Sequence, residues 1–250
     1  MKWTDAERAE NREALARMTL PQRLEYIFEY YRFPLVLILI AVVALGSVLY
    51  YRITYKDTLL YLGYANIAVG STLDSALCEG FTRSVGADPG KSEVKVYRNL
   101  YLSHDASVQD HQYSYASRLK MMAAMTGGQI DVLLMNREAY DIMSSGGYLL
   151  PLEELLKQDS SLFGRVSGQL TKNTVILQDN DIEHQLDESV PYQSVTESVS
   201  NAILISSFKL FAQAGFSGDV YLGVIGNSAH IETVLQYIDY LTAKTENPSA

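Results

Sequence analysis

The chain has 250 residues, 48% of them hydrophobic and 20% charged, with 16 Gly, 6 Pro and one cysteine. That excludes a disordered chain, a collagen-like or Pro/Gly low-complexity chain, an intramolecular disulfide framework and a thiolate zinc cluster. A formal charge of −9 argues against nucleic acid, and against an anionic membrane surface, as the main partner.

Residues 1–32 carry six basic and six acidic side chains and cancel in charge. Thr19-Leu20-Pro21-Gln22 combines an N-cap threonine, a first-turn proline and a glutamine at the capping-box position. Leu24, Ile27, Phe28 and Tyr31 follow at i, i+3, i+4 and i+7. An amphipathic, cytoplasmic helical segment over 1–32 is expected. It either lies along the bilayer interface, the simpler reading, or binds a partner.

Phe33 to Tyr51 contains no charge. At about 1.5 Å per residue its nineteen positions reach roughly 28 Å, close to a hydrocarbon thickness of about 30 Å. Aromatic residues crowd both ends: Tyr30, Tyr31 and Phe33 before, Tyr50, Tyr51 and Tyr55 after. A transmembrane helix over 33–52 is therefore expected. Ala44-Leu45-Gly46 resembles a signal-peptide cleavage site, but such peptides have short, basic leaders, so an uncleaved anchor fits better. Arg17, Arg23 and Arg32 before the run, against Arg52 and Lys56 after it, place the N-terminus inside. The expected localisation is the cell membrane, single-pass, with residues 57–250 outside and carrying a net −11.

The body alternates apolar runs with helical periods. Strands are expected at Leu59–Val69, Glu93–Arg98, Asp131–Met135, Ala202–Ile205 and Val220–Ile225. Helices are expected between Leu73 and Ser84, at Gln112–Thr126 before Gly127-Gly128, at Arg137–Ser145 before Gly146-Gly147, after Pro151 through Lys157, at Phe208–Ala214, and from Ile231 to Leu241. Thr174–Leu177 and Ile182–Leu186 flank Asp179-Asn180-Asp181 as a hairpin would, in an otherwise less regular stretch from Asp159 to Ser200. This order predicts an α/β domain with one mostly parallel sheet flanked by helices.

Two stretches resemble the extracellular solute-binding proteins of ABC importers (type-2 periplasmic-binding-protein-like). Arg118–Leu156 carries Ala123-Ala124, Gly128, Asp131 opening a short apolar strand, and Gly147-Tyr148-Leu149-Leu150-Pro151-Leu152 leading into a helix. Tyr221–Leu241 resembles a strand and following helix of that family. Ile130 replaces the proline usual before the strand aspartate. The body has room for one lobe, since a lobe is itself a domain of ordinary size. The resemblance thus implies a shortened, single-lobe, membrane-anchored bacterial relative, and no ligand residue carries over with it.

Catalytic and metal motifs are weak. His104, Asp105, Asp110 and His111 lie close in sequence, but fit a solvated polar loop better than a metal site. Asp179, Asp181 and Glu183 lack the glycine and distant glutamate of a calcium loop. Ser228 and His230 lack a nucleophile elbow, and helix capping accounts better for Ser228. Cys78 reads as a small buried hydrophobe. No Walker or dinucleotide loop is present, and no cofactor or metal is expected.

A non-catalytic binding or assembly module is therefore expected, with the bilayer and another membrane or extracytoplasmic protein as partners. Solute capture for an importer is the alternative, with weak binding of a small solute. In open α/β sheets a ligand sits beyond the carboxyl ends of the strands. There the sequence offers Ser71 and Thr72, Arg98 and Asn99, and Asn136 and Arg137 as a ligand rim. Ser71 or Thr72 and Asn136 serve equally as N-caps.

Overall fold

The computed structural model describes residues 19–103, 111–187 and 189–243; the side chains of 20, 23–32, 35, 53 and 111–114 also lie outside the description. The expectations for residues 1–18 and for His104, Asp105, Asp110 and the His111 side chain therefore fall outside the described residues. The chain divides into two compact units, Met1–Tyr55 and Lys56–Ala250.

The described part of the first unit is one helix, α1 (Leu20–Thr54). At its start the Thr19 N–H donates to the Gln22 side chain at 3.1 Å, with Pro21 in the first turn. The helix continues without a break past residue 32 and through Pro34. One missing N–H is a local loss, and no second helix breaker lies within a turn of it. Among the described residues no helix is long and apolar enough to cross a membrane. Residues 36–52 of α1 rise about 25 Å at 1.5 Å per residue. The apolar side chains along it are exposed, Leu37 at 66% and Leu45 at 63%. The Ser47 hydroxyl is satisfied within the helix, on the Val43 carbonyl at 2.8 Å.

The second unit is built on β1 (Asp57–Ala65), β2 (Ser92–Leu100), β3 (Val132–Met135), β4 (Leu170–Asp179), β5 (Ser194–Leu204) and β6 (Tyr221–Val224), in the order β2-β1-β3-β6-β5-β4. The mostly parallel expectation is corrected to a mixed sheet. β1 runs parallel to β2 and β3, whereas the β3–β6, β6–β5 and β5–β4 pairings are antiparallel. The cause lies in the connections. A parallel partner needs a crossover long enough to return the chain to the same end of the sheet. The β1–β2 and β1–β3 links contain such helical crossovers, while β5 pairs back on β4 after a short excursion.

The helices are α2 (Ser71–Ser75), continued by a π-helical turn (Ala76–Gly80) into α3 (Phe81–Ser84), then α4 (His111–Thr126), α5 (Arg137–Ser145), α6 (Leu152–Leu156), α7 (Ser160–Val166), α8 (Asp181–Leu186), α9 (Lys209–Ala212) and α10 (Ile231–Ala243). Two apolar layers cover the two sheet faces. One joins Leu60, Leu62, Val132 and Leu134 to Leu77, Phe81, Leu156, Phe211, Tyr237 and Ile238. The other joins Ala65, Leu133 and Met135 to Met121, Met125, Tyr140 and Met143. Alternating side chains of β3 feed both layers, which is why all four of its residues are buried.

The stretch from Asp159 to Ser200 is more ordered than its sequence implies. Ile182–Leu186 is not a strand but part of α8, and the true hairpin partner of β4 is β5, from Asp179↔Ser194 to Leu170↔Ile203. Ile182 and Leu186, four apart, share a helix face, a spacing that the turn signal at Asp179-Asn180-Asp181 masks.

Candidate functional site

β1, β2 and β3 end together, and the residues expected to form a ligand rim lie in and beside the loops leaving them. β1 stops at Asn66, whose φ of 57° ends the extended run. The Asn66 side chain then clamps Leu102: Nδ2 donates to its carbonyl at 2.5 Å, and the Leu102 N–H donates to Oδ1 at 2.8 Å. Asn99, at φ 60°, turns the end of β2, and the Tyr101 N–H meets Ser117 Oγ at 2.5 Å.

Arg98 is exposed but not free. Its guanidinium lies 2.5 Å from Asp74, which also accepts the Tyr64 hydroxyl at 2.9 Å. The Asp74 bond raises the pKa of Arg98 further, against a lowering by partial burial. Cys78 packs against the core one turn beyond Asp74, within the π-helical turn. Burial, and then the Asp74 carboxylate, push its thiol up to about 12. The Tyr240 hydroxyl donates to the Ala76 carbonyl at 2.7 Å, a partner for the widened turn. Cys78 is thus a protonated, half-buried thiol rather than a nucleophile.

Asn136 caps α5 as expected, accepting the Ala139 N–H at 2.9 Å. Arg137 pairs with Asp141 at 2.9 Å, and its guanidinium lies 5.7 Å from the Tyr140 ring centre and 5.8 Å from that of Tyr221. Asn173 of β4 donates to the same Asp141 at 2.7 Å. Ser71 and Thr72 are exposed, and neither caps α2; Gly70 occupies the N-cap position without a side-chain bond. The N-cap expectation for Ser71 or Thr72 is therefore wrong, because the chain enters helical geometry one residue earlier. The rim residues thus divide between an Arg98–Asp74–Tyr64 group and an Arg137–Asp141–Asn173 group.

A second cluster sits at the opposite end of β3. Asp131 is fully buried and accepts the Tyr61 N–H at 2.8 Å and the Ser228 hydroxyl at 2.7 Å, and His230 Nδ1 lies 3.1 Å from both its oxygens. Ser, His and Asp stand together here, but in the wrong order for nucleophilic catalysis. The serine hydroxyl faces the carboxylate, not the imidazole, and accepts the His230 backbone N–H at 3.2 Å. A triad requires the serine on the ring nitrogen remote from the aspartate. The cluster ties the chain entering α10 to β3. Ser228 was expected only as a helix cap; the structure gives it this further role. Sequence reasoning missed Asp131 as its centre, and the available signal was an acid placed directly before four apolar residues.

Among the described residues no group of three or more His, Cys, Asp or Glu side chains could hold a metal. A cleft of about 480 Å³ lies elsewhere, lined by Ser84, Asp159, Leu162, Gln236 and Asp239 among others. No family model, curated protein or solved structure matches the chain.

Proposed function

We propose that the chain is a membrane-anchored, extracytoplasmic, non-catalytic binding or assembly module built like one lobe of a solute-binding protein, with its N-terminus in the cytoplasm. The observation that carries this reading is the exposure of α1. Phe33, Val36 to Ile40, Val42, Val43, Leu45, Val48 and Leu49 are all between 53% and 75% exposed. An exposed apolar surface that continuous needs an apolar surrounding or a partner. The sequence extends the run to nineteen uncharged residues with aromatic ends, which favours the bilayer.

The rim favours assembly over solute capture. Arg98 and Arg137 are paired with Asp74 and Asp141, so a solute would compete with existing charge-assisted bonds. One open rim also lacks the second wall by which a tight site buries most of its ligand. Solute capture for an importer remains the second reading, favoured by the position of these polar groups beyond the ends of parallel strands.

The test is protease treatment of intact cells with carbonate washing of the membranes. Cleavage of residues 57–250 from outside, with the remaining chain retained in the washed membrane, is expected. A body cut only after lysis overturns the orientation, and release by carbonate overturns the anchor.

A further inference from the structure

The β4–β5 hairpin outgrows its sheet. β5 pairs with β6 at Ile203 and Leu204, so among the described residues β4 is the only strand beside residues 194–202. Its inner part is held by α5: Tyr140 donates to Asn201 Oδ1 at 2.8 Å, Asn201 Nδ2 to Ser144 Oγ at 2.7 Å, and Ser144 to the Thr174 carbonyl at 3.1 Å. Beyond that point Leu177, Gln178, Asp179 and every residue from Ser194 to Ser198 are exposed.

The end of this arm is nevertheless built. The Asn180 N–H donates to the Gln193 carbonyl, its side chain donates to the Pro191 carbonyl, and the Gln193 N–H returns to Asn180 Oδ1 at 2.7 Å. His184 Nδ1 meets the Val190 carbonyl at 2.7 Å. On this ordered tip Ile182 is 76% and Leu186 84% exposed, flanked by Leu177 and Val195 at 60% and 58%. Asp181 and Glu183 lie on the same helix, Asp179 just precedes it and Asp187 ends it, and among the described residues no Lys or Arg pairs with any of these. The other acidic residues named above at the rim do have such partners.

We propose that the tip of the β4–β5 arm is a docking surface for a basic, amphipathic protein segment, with Ile182 and Leu186 as its apolar centre and the carboxylates of Asp179, Asp181, Glu183 and Asp187 as its rim. An apolar centre with a charged rim is the ordinary anatomy of an interface. The sign of the rim selects the occupant. A second copy would bring acid against acid, and an anionic lipid surface would do the same, whereas lysines and arginines would find carboxylates that so far accept only neutral donors, such as Gln185 on Asp181 and Ser189 on Asp187. The inference deepens the assembly-module reading and rests on it for its role.

The experiment uses the full chain in phosphatidylcholine nanodiscs, with fluorescent Lys/Leu and Glu/Leu amphipathic peptides as probes and empty nanodiscs as the lipid background. Anisotropy is expected to show the Lys peptide binding at least about tenfold more tightly than the Glu peptide, with affinity falling as salt rises. Ile182→Ser with Leu186→Ser should remove that preference, and Glu183→Lys with Asp187→Lys should invert it. All four positions are exposed, so the melting temperature should stay that of the parent, and the charge-reversed pair tests the proposal even if the serine pair unfolds. Equal binding of the two peptides, unchanged binding in both variants, or wild-type dimers that the variants abolish would overturn it. None of these outcomes depends on membrane orientation, so they are distinguishable from failure of the protease test.

Discussion

Leu133 lies between two glycines, and a β carbon on Gly63 would come within 2.5 Å of its Cδ2. The register makes this direct, with Gly63↔Leu133 on one side and Leu133↔Gly223 on the other. The side chain missing at Gly63 leaves space that Leu133 fills, whereas Met135 and Leu149 take the space at Gly223. Gly63→Ala should therefore destabilise by about 1–3 kcal/mol through overpacking, and Leu133→Ala by about 2–5 kcal/mol through a cavity. The double variant should cost less than the sum, because the alanine at 63 then enters the space vacated at 133. Urea titration of the three variants checks it; strict additivity would mean that the two sites do not share that volume.

The Tyr140–Asn201–Ser144 chain predicts where the arm is anchored. Asn201 is fully buried, so Asn201→Ala leaves the Tyr140 hydroxyl only the Thr171 carbonyl at 3.1 Å and takes the Nδ2 donor from Ser144 Oγ. Losing one or two such bonds costs about 1–3 kcal/mol. Hydrogen exchange should accelerate over 170–179 and 194–204 before it changes in β1. Uniform acceleration across the sheet would show that the arm opens only with global unfolding.

Cys78 predicts an alkaline limb. Its thiol titrates near 9.0 when unperturbed and at about 12 in the fold, raised first by burial and then by Asp74. The folded state then holds a proton that the unfolded state has lost, so stability is full below pH 9 and declines as pH rises toward 12. Cys78→Ala should make that limb shallower, leaving the part that the buried Tyr64, Tyr140 and Tyr237 hydroxyls, also raised by burial, contribute. Reaction with a disulfide reagent at pH 8 should be slow until urea is added; rapid reaction in the folded state would contradict the raised pKa of this half-buried thiol.

The paired rim predicts weak solute binding. Calorimetry of the full chain against pooled sugars, amino acids and peptides should give no dissociation constant tighter than about 1 mM, roughly −4 kcal/mol. Arg98→Ala and Arg137→Ala should leave that result unchanged. A one-to-one micromolar solute, lost in either variant, would instead promote the importer reading.

Local pattern made most elements legible. Arg137–Ser145 is a helix with both expected ends, since Asn136 caps it and Gly147 takes φ 69° after it. The four apolar residues after Asp131 form a buried interior strand, as their run implies. The errors fall where two local signals compete. A turn motif hid the i, i+4 pair of α8, and Ser71 and Thr72 resembled caps although Gly70 already sat in extended geometry with φ −70° and ψ 156°.

The sequence alone determined the apolar character of residues 33–51, the α/β alternation, the acidic charge of the body and the polar nature of the rim, because these depend on residue type and spacing along the chain. Only the tertiary structure decided that the sheet is mixed, that Arg98 and Arg137 are paired, and that Tyr61, Asp131, Ser228 and His230 meet. Asp131 and His230 are 99 positions apart, and Tyr140 and Asn201 are 61 apart. No periodicity encodes such separations: strand order sets them, through the burial of two apolar faces at once.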